Sequence, residues 1–542
     1  MFKIGAGIPR TPLTPAPLVI PDLETGLQIL SCLPLADAQQ ADIQLNRFLD
    51  SLLLTPPPAA VYLKLLEQSR LSLCFVEEAL AQRYVNQSLP LASLEESYFR
   101  QVVATWLKAA SAYAHCAQLE TSADDAAHSL RLSLILHRCI YYTGMAIIEH
   151  HRARRELPPG LWLDLHGYYA SAEEWGLALL AIPDALDPQG RSTHCTAAFV
   201  SFLLSELAGP YSLSVRDQRL VHRWAGNLAP LVSVRTVTPG EPLPQFVVDL
   251  MHDVGLSPVA ECLQTEQLRR LDTGHLAMHL GQLRQQLDQK MSPAQIGLGE
   301  DCTAGQCRQL LDYLSRPWSQ ARAPRKFRRR ATSGIAKLCG GFEAMHYVIA
   351  KAEFVQPENV RLYSRQEFDS LFTFRHMVDP TQSLQIHQTA LDFNPDSWEV
   401  VNQSANGFRL MRSIVGKKMM HGQLLAVCPH DGEHYLLAQT SWLMQEQSGG
   451  LIAGIAALPG IPQAVAARPL APQGGHAEMY SRAFILPAIP AVNVEQTLIL
   501  PHGWYQAARL IELYTDKAWR VELRQVVNNG PDFERVSFAP VT

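Results

Sequence analysis

The chain of 542 residues is too long for one compact core and is expected to form three or four units, some of them fused. A hydrophobic share of 47%, a charged share of 18% and a net charge of -5 exclude a collagen-like or disordered chain and give no sign of an overall nucleic-acid binder. Any cationic function must be local.

The first 22 residues are proline-rich and without period, an extended N-terminal arm. No apolar run of signal-peptide length precedes Pro9, Pro12 and Pro15, and the ten cysteines are scattered without a C-x-x-C pair. Reduced thiols and a cytoplasmic location are expected. From residue 23 to about 320 the pattern is helical. Tyr62, Leu65, Leu66, Leu73, Val76 and Leu80 recur near every 3.6 residues, which predicts a core-facing stripe with Lys64, Glu67, Arg70 and Glu77 largely off it. Ser93 and Glu96 have capping-box spacing ahead of Val102, Trp106 and Tyr113. A further helix over 130–151 ends in Glu149-His150-His151, expected as a solvated, dipole-compatible cluster, before Arg152, Arg154, Arg155 and the stop Pro158-Pro159-Gly160. Helical patterns continue through Trp162 to Trp175 and Phe199 to Leu207, as a bundle or an irregular helical repeat. The prolines at 239, 242 and 244 mark a sub-boundary near 235–245, and 261–290 reads as helix again. His275 and His279 are one helical turn apart, yet no carboxylate or cysteine nearby completes a site, so a structural role and no metal are expected.

Beyond about 320 the runs become short and alternate. Residues 423–427, the turn Pro429-His430-Asp431-Gly432 and residues 434–444 predict a hairpin, and some helix is expected between 340 and 375. Leu451–Leu470 is interrupted by Pro459, Pro462 and Pro469, so it reads as short strands with turns and not as a membrane span. Near the end, Trp519 to Leu523 alternates with period two, and Asn529-Gly530 is a favoured two-residue turn before Phe533. The fold class expected is α+β and multidomain: an N-terminal all-α part followed by antiparallel β-barrels.

The densest charge is Arg322-Ala323-Pro324-Arg325-Lys326-Phe327-Arg328-Arg329-Arg330, six cations in nine residues at the junction of the two regions. Such a run either lies splayed in solvent or meets an anion, and guanidinium forks suit phosphate oxygens and can stack on a base. A second segment, Trp398 to Leu410, reads strand, tight loop, strand. In it Asn402 and Ser404 offer hydrogen-bonding groups for a base or ribose, while Gly407 permits a positive φ and close backbone approach.

Together these segments resemble the PilZ domain, whose signature is R-x-x-x-R followed by [D/N]-x-S-x-x-G. Arg325 and Arg329 fill the first half; Asn402, Ser404 and Gly407 fill the second, about seventy residues later. Gly422 to Val427, Trp442 and Gly450 to Ile455 are similar to strands that follow in that family. The resemblance covers about 322–470 and implies a six-stranded antiparallel barrel that binds cyclic di-GMP, with Arg325 and Arg329 on phosphates and guanines, Asn402 and Ser404 on a guanine and its sugar, and Gly407 shaping the loop. Arg328 and Arg330 could assist. The organisation expected is an arm (1–22), a helical domain (23–320), a PilZ-like barrel (321–470) with an insertion over about 340–395, and a β extension (471–542), with a second, degenerate barrel as one reading of it. No catalytic elbow, P-loop or dinucleotide fingerprint is present, so a non-enzymatic bacterial receptor without cofactor is expected, an adaptor whose helical part meets a protein partner. The competing readings are a nucleic-acid-binding protein that uses 322–330, and a ligand-free helical scaffold or chaperone-like protein.

Overall fold

The computed structural model describes residues 19–120, 126–187, 189–238, 245–259, 266–320, 330–357, 394–404, 406–413, 416–470, 478–490 and 493–541. Arg325, Arg328 and Arg329, most of the N-terminal arm and most of the expected insertion lie outside them. The chain divides into two compact units, Met1–Gln87 with Leu91–Pro324, and Arg325–Thr542 with Ser88–Pro90.

Ten helices described in the first unit follow the apolar periodicity: α1 (Leu23–Ser31), α2 (Ala38–Leu54), α3 (Ala59–Ala81), α4 (Ser93–Leu119), α5 (Ala126–Arg152), α6 (Leu161–Glu174), α7 (Cys195–Leu207), α8 (Val215–Leu228), α9 (Gly274–Asp288) and α10 (Ala304–Trp318). The predicted stripe of α3 is buried throughout, with each of its six side chains at most 2% exposed. At about 1.5–3 kcal/mol per buried side chain, this face holds the helix in place. The cap of α4 sits one residue earlier than the spacing suggested: Glu95, not Glu96, accepts from the backbone N–H of Ala92 at 2.6 Å.

Two charges expected off the α3 stripe are inside. Arg70 and Glu77 are both fully buried. Arg70 Nη1 donates to Asp184 Oδ1 at 2.6 Å and its Nε to Tyr142 at 3.3 Å. Arg138, from α5 and also fully buried, grips both oxygens of Glu67 at 2.9 Å and donates to the Pro183 carbonyl at 3.0 Å. Burial alone would push the Glu67 carboxyl up, but Arg138 and Arg70 outweigh it and hold it below its ordinary value. The partners come from α5 and from the segment around Asp184, so spacing along α3 cannot announce them.

Glu77 goes the other way. Burial first, and then the negative charges of Asp42 and Glu149, raise its carboxyl well above the usual range. A folded value above the unfolded one contributes stability that is complete below the unfolded value and is lost as pH rises towards the folded one. Glu77→Gln is therefore expected to leave stability near pH 4 almost unchanged and to raise it at pH 8 by about 1–3 kcal/mol, the range for relieving a poorly matched buried group. Urea titrations at the two pH values check this; equal effects at both would contradict it.

The Glu149-His150-His151 cluster is also buried, at 1%, 6% and 2% exposure, and is not solvated as expected. Glu149 accepts from the Tyr84 hydroxyl at 2.5 Å and from Arg152 at 2.8 Å. Burial pushes the His150 imidazole down to about 4, and Phe99 packs edge-on against it. The first unit also carries strands that the helical reading passed over: a short pair, β1 (Ile182–Pro183) with β2 (Ser192–Thr193), and a four-stranded antiparallel sheet. In that sheet β3 (Ser233–Thr236), β6 (Leu268–Asp272), β4 (Phe246–Asp249) and β5 (Ser257–Pro258) follow in that order. Thus 268–272, expected as helix, is strand, with Leu268 and Leu271 buried. No helix among the described residues is long and apolar enough to cross a membrane.

The second unit is β, as expected. β7 (Arg330–Ala331) and β8 (Ile335–Gly340) follow one another along one edge of β9 (Asp396–Ser404), and the other edge of β9 pairs with β10 (Gly407–Arg412). The ring continues through β13 (Leu451–Ala457), β12 (Leu436–Gln445) and β11 (Leu424–Cys428) back to β8, a closed antiparallel barrel of six strands. Its interior takes Ala336, Leu338, Trp398, Val400 and Leu410, all buried. A helix, α11 (Phe342–Ala350), follows β8.

A second closed barrel holds β14 (Gln463–Pro469), β15 (Ser481–Leu486), β16 (Thr497–Pro501), β17 (Leu510–Tyr514), β18 (Ala518–Asn529) and β19 (Phe533–Val541), in the order β14-β15-β16-β19-β18-β17. The turn lies later than Asn529-Gly530: Asn529 pairs with Glu534, Gly530 N donates to the Phe533 carbonyl at 2.9 Å, and the Asp532 carboxylate accepts from Leu424 N at 3.0 Å. One apolar cluster joins the barrels: Leu424, Ala426 and Leu437 from the first meet Phe484, Leu486, Ile499 and Phe533 from the second, with Met345 of α11 among them.

Candidate ligand site on the first barrel

Strand β9 positions the polar residues through a β-bulge. Trp398 and Val400 point into the barrel at 1% and 5% exposure, so simple alternation would send Asn402 and Ser404 inward as well. Instead Leu410 of β10 stands opposite Val400 while Arg409 stands opposite Asn402, which leaves Val401 unmatched. The extra residue flips the register, and Asn402 and Ser404 emerge on the outer face.

Gly407 pairs with Ser404, and the Ser404 hydroxyl lies 3.0 Å from Asn406 Oδ1 and 3.3 Å from the Gly407 carbonyl. The close approach expected of Gly407 is present: a Cβ here would sit 2.3 Å from the Ile455 carbonyl oxygen of β13. The positive φ expected of it is not, since Gly407 is ordinary strand. Its need for glycine comes from the neighbouring strand and not from the turn.

The end of the basic run reaches this same place. Arg330 is exposed and pairs with Gln403, and Ala331 pairs with Asn402. β7 thus delivers the chain that leaves Arg329 to the edge of β9, between Asn402 and Ser404. Arg325, Arg328 and Arg329 themselves lie outside the described residues.

Three further residues share the outer face and were passed over as ligand groups. Register carries one row across four strands: Asn402, Arg409, Gly454 and Trp442. The Trp442 indole lies so close on Gly454 that a Cβ there would meet its Nε1 at 1.9 Å. The Arg409 guanidinium stands 5.8 Å from the Trp442 ring centroid, and its buried Nε has no hydrogen-bond partner among the described residues. Trp442 was legible as a residue of the resemblance. Its place in the same row as Asn402 was not, because two bulges, at Val401 and at Ser441, set the row. On the inner side Arg412, 4% exposed, lies 4.8 Å from the Trp398 ring centroid and bonds Asp396 and the Lys417 carbonyl at 3.0 Å, so this cation is structural.

The face therefore gathers an amide, a hydroxyl, a guanidinium and an aromatic ring at the landing point of a strongly cationic segment. Such a surface can hold a planar base and neutralise phosphate. His275 is exposed on α9, and no group of three or more metal-ligating side chains comes together among the described residues.

Three family models match the chain. The N-terminal domain of the cyclic-di-GMP receptor FimW matches residues 25–239, the middle PilZ domain of that receptor matches 246–381, and the FimW C-terminal β-barrel domain matches 465–541. The middle match includes the basic run, β7, β8 and α11, and ends ahead of β9, so the strand with Asn402 and Ser404 lies beyond it. The cyclic-di-GMP receptor FimW of Pseudomonas aeruginosa is 25% identical over 562 aligned positions, which span 94% of this chain and 90% of that protein. No solved structure matches.

Proposed function

We propose that the chain, which matches three FimW family models including the middle PilZ domain, is a non-enzymatic cytoplasmic receptor for cyclic di-GMP. The observation that supports this most is the pairing of Arg330 and Ala331 with Gln403 and Asn402, which brings the arginine run to the polar outer face of the first barrel. In the proposed complex Arg325 and Arg329 close over the ligand phosphates and stack on its guanines. Asn402 and Ser404 hydrogen-bond one guanine and its sugar, and Gly407 keeps β10 close to β13. Arg409 on Trp442 offers a second cationic, aromatic surface along the same row, and Arg328 and Arg330 add charge.

Binding orders the segment that joins the helical unit to the barrel, so occupancy would bias how the barrel is held against the helical unit, and that unit would meet a protein partner. The energetic source is the partial neutralisation of six crowded cations by a dianion.

Calorimetric titration of cyclic di-GMP into the full chain tests the proposal, with GMP and a single-stranded RNA as parallel ligands. Saturable heat with cyclic di-GMP, lost in Asn402→Ala/Ser404→Ala, supports it. No heat with cyclic di-GMP leaves the scaffold reading ahead. RNA binding that falls by orders of magnitude with modest salt and ignores Ser404 would instead assign the basic run to nucleic acid.

A further inference from the structure

Cys302 and Cys307 come together at the start of α10. Their sulfurs are 3.0 Å apart, inside ordinary sulfur–sulfur contact. Cys302 lies in the turn before the helix, next to the cap Thr303, whose side chain accepts from Gln306 N. Cys307 is fully buried in the second turn, and Cys302 is 9% exposed.

The turn that carries Cys302 is fixed from several sides. Gly297 and Gly299 take left-handed φ values of 79° and 111°. Arg223 Nη2 and Trp224 Nε1 both donate to the Leu298 carbonyl, at 2.7 and 2.9 Å, and Arg223 also pairs with Asp301 at 2.7 Å. Arg216 Nη2 holds the Asp301 carbonyl at 2.8 Å. These contacts hold the backbone of the turn that carries Cys302. Cys302 Sγ also lies 3.7 and 3.6 Å from the Leu298 and Gly299 carbonyls, and Cys116, Cys139 and Cys195 likewise direct their sulfur to a backbone carbonyl.

We propose that Cys302 and Cys307 form a reversible dithiol–disulfide site that responds to a hydroperoxide or a small-molecule disulfide, independently of the ligand reading above. With hydrogen peroxide, the Cys302 thiolate attacks one peroxide oxygen: an S–O bond forms, the O–O bond breaks, and hydroxide leaves and takes up the Cys302 proton as water. The Cys307 sulfur then attacks the sulfenic sulfur of Cys302. The S–S bond forms, the S–O bond breaks, and the departing hydroxide leaves as a second water with the Cys307 proton. Two thiols are oxidised to one disulfide while one peroxide is reduced to two waters.

The order of attack follows from position. Cys302 retains 9% exposure whereas Cys307 is fully buried, and burial with the hydrogen bond to Cys302 pushes the Cys307 thiol up to about 12, so Cys302 is assigned the first attack. Closing the gap to a bonded distance of about 2.05 Å asks for a movement of about one ångström. The product would staple the 297–303 turn to α10, the helix that ends at Trp318 just ahead of the basic run.

The test oxidises the full chain with hydrogen peroxide and, separately, with glutathione disulfide, alkylates the remaining thiols, and maps them by mass spectrometry after digestion. The expected species joins Cys302 to Cys307, two hydrogens lighter than the dithiol and unalkylated at both. Dithiothreitol restores alkylation at both positions, while Cys302→Ser abolishes the species without changing the labelling of Cys116, Cys139 or Cys195. Alkylation of Cys302 and Cys307 unchanged by either oxidant overturns the proposal. So does sulfinic acid at Cys302 with no linked species, or a link between two chains.

Discussion

Replacing Arg325 and Arg329 together with alanine is expected to weaken cyclic di-GMP binding by about a hundred-fold to ten-thousand-fold, with the far-ultraviolet circular dichroism unchanged. Each guanidinium is assigned charge-assisted hydrogen bonds to phosphate, at about 1.5–3 kcal/mol apiece, and about 1.4 kcal/mol is tenfold in affinity. Lysine at both positions should recover only part of the loss, because an ammonium keeps the charge without the planar fork. Arg328→Ala and Arg330→Ala should cost less, since each removes a charge from the run without removing a motif position. Titration calorimetry of the four variants reads this out. A double alanine variant that binds as tightly as the wild type would remove the arginines from the site.

Arg138→Met is expected to cost the helical unit about 3–5 kcal/mol, the range for breaking a buried ion network by removing one partner. The side chain is fully buried, and its loss would strip Glu67 of its bidentate partner and leave Asp184 to Arg70 alone. Because the chain has two units, the loss should appear as an earlier first transition in urea and not as a uniform shift. The double variant Glu67→Gln/Arg138→Met should lose less than the sum of the single changes, since removing both members leaves no orphaned charge. Additive losses would mean that the pair is not coupled.

How legible this molecule is depends on whether the decisive contacts lie near one another in sequence. The α3 stripe, the 423–444 hairpin and the alternation of β18 are local, and each could be read from its own residues. The burial of Arg70, Glu77 and the Glu149-His150-His151 cluster could not. Arg70 and Glu77 look like a solvated face until α5 and the Asp184 segment pack against them, and the cluster at the end of α5 does so until Tyr84 and Phe99 meet it. The sheet from β3 to β6 was hidden for a related reason: its strands are two to five residues long, too short to separate period two from period 3.6. At the candidate site the residue types were legible, whereas the bulge at Val401 was not. Without that bulge, strict alternation puts Asn402 on the wrong side of the barrel wall.

The apolar cluster that Leu424, Ala426 and Leu437 share with Phe484, Leu486, Ile499 and Phe533 bears on how the protein comes apart. Each ring fills its own interior, but this outer flank of each is apolar and covered only by the other, so a protease nick in the stretch that links β13 to β14 would not release two self-sufficient fragments. The C-terminal ring is in this sense a lid on its neighbour, and the pair should melt together as a single cooperative block.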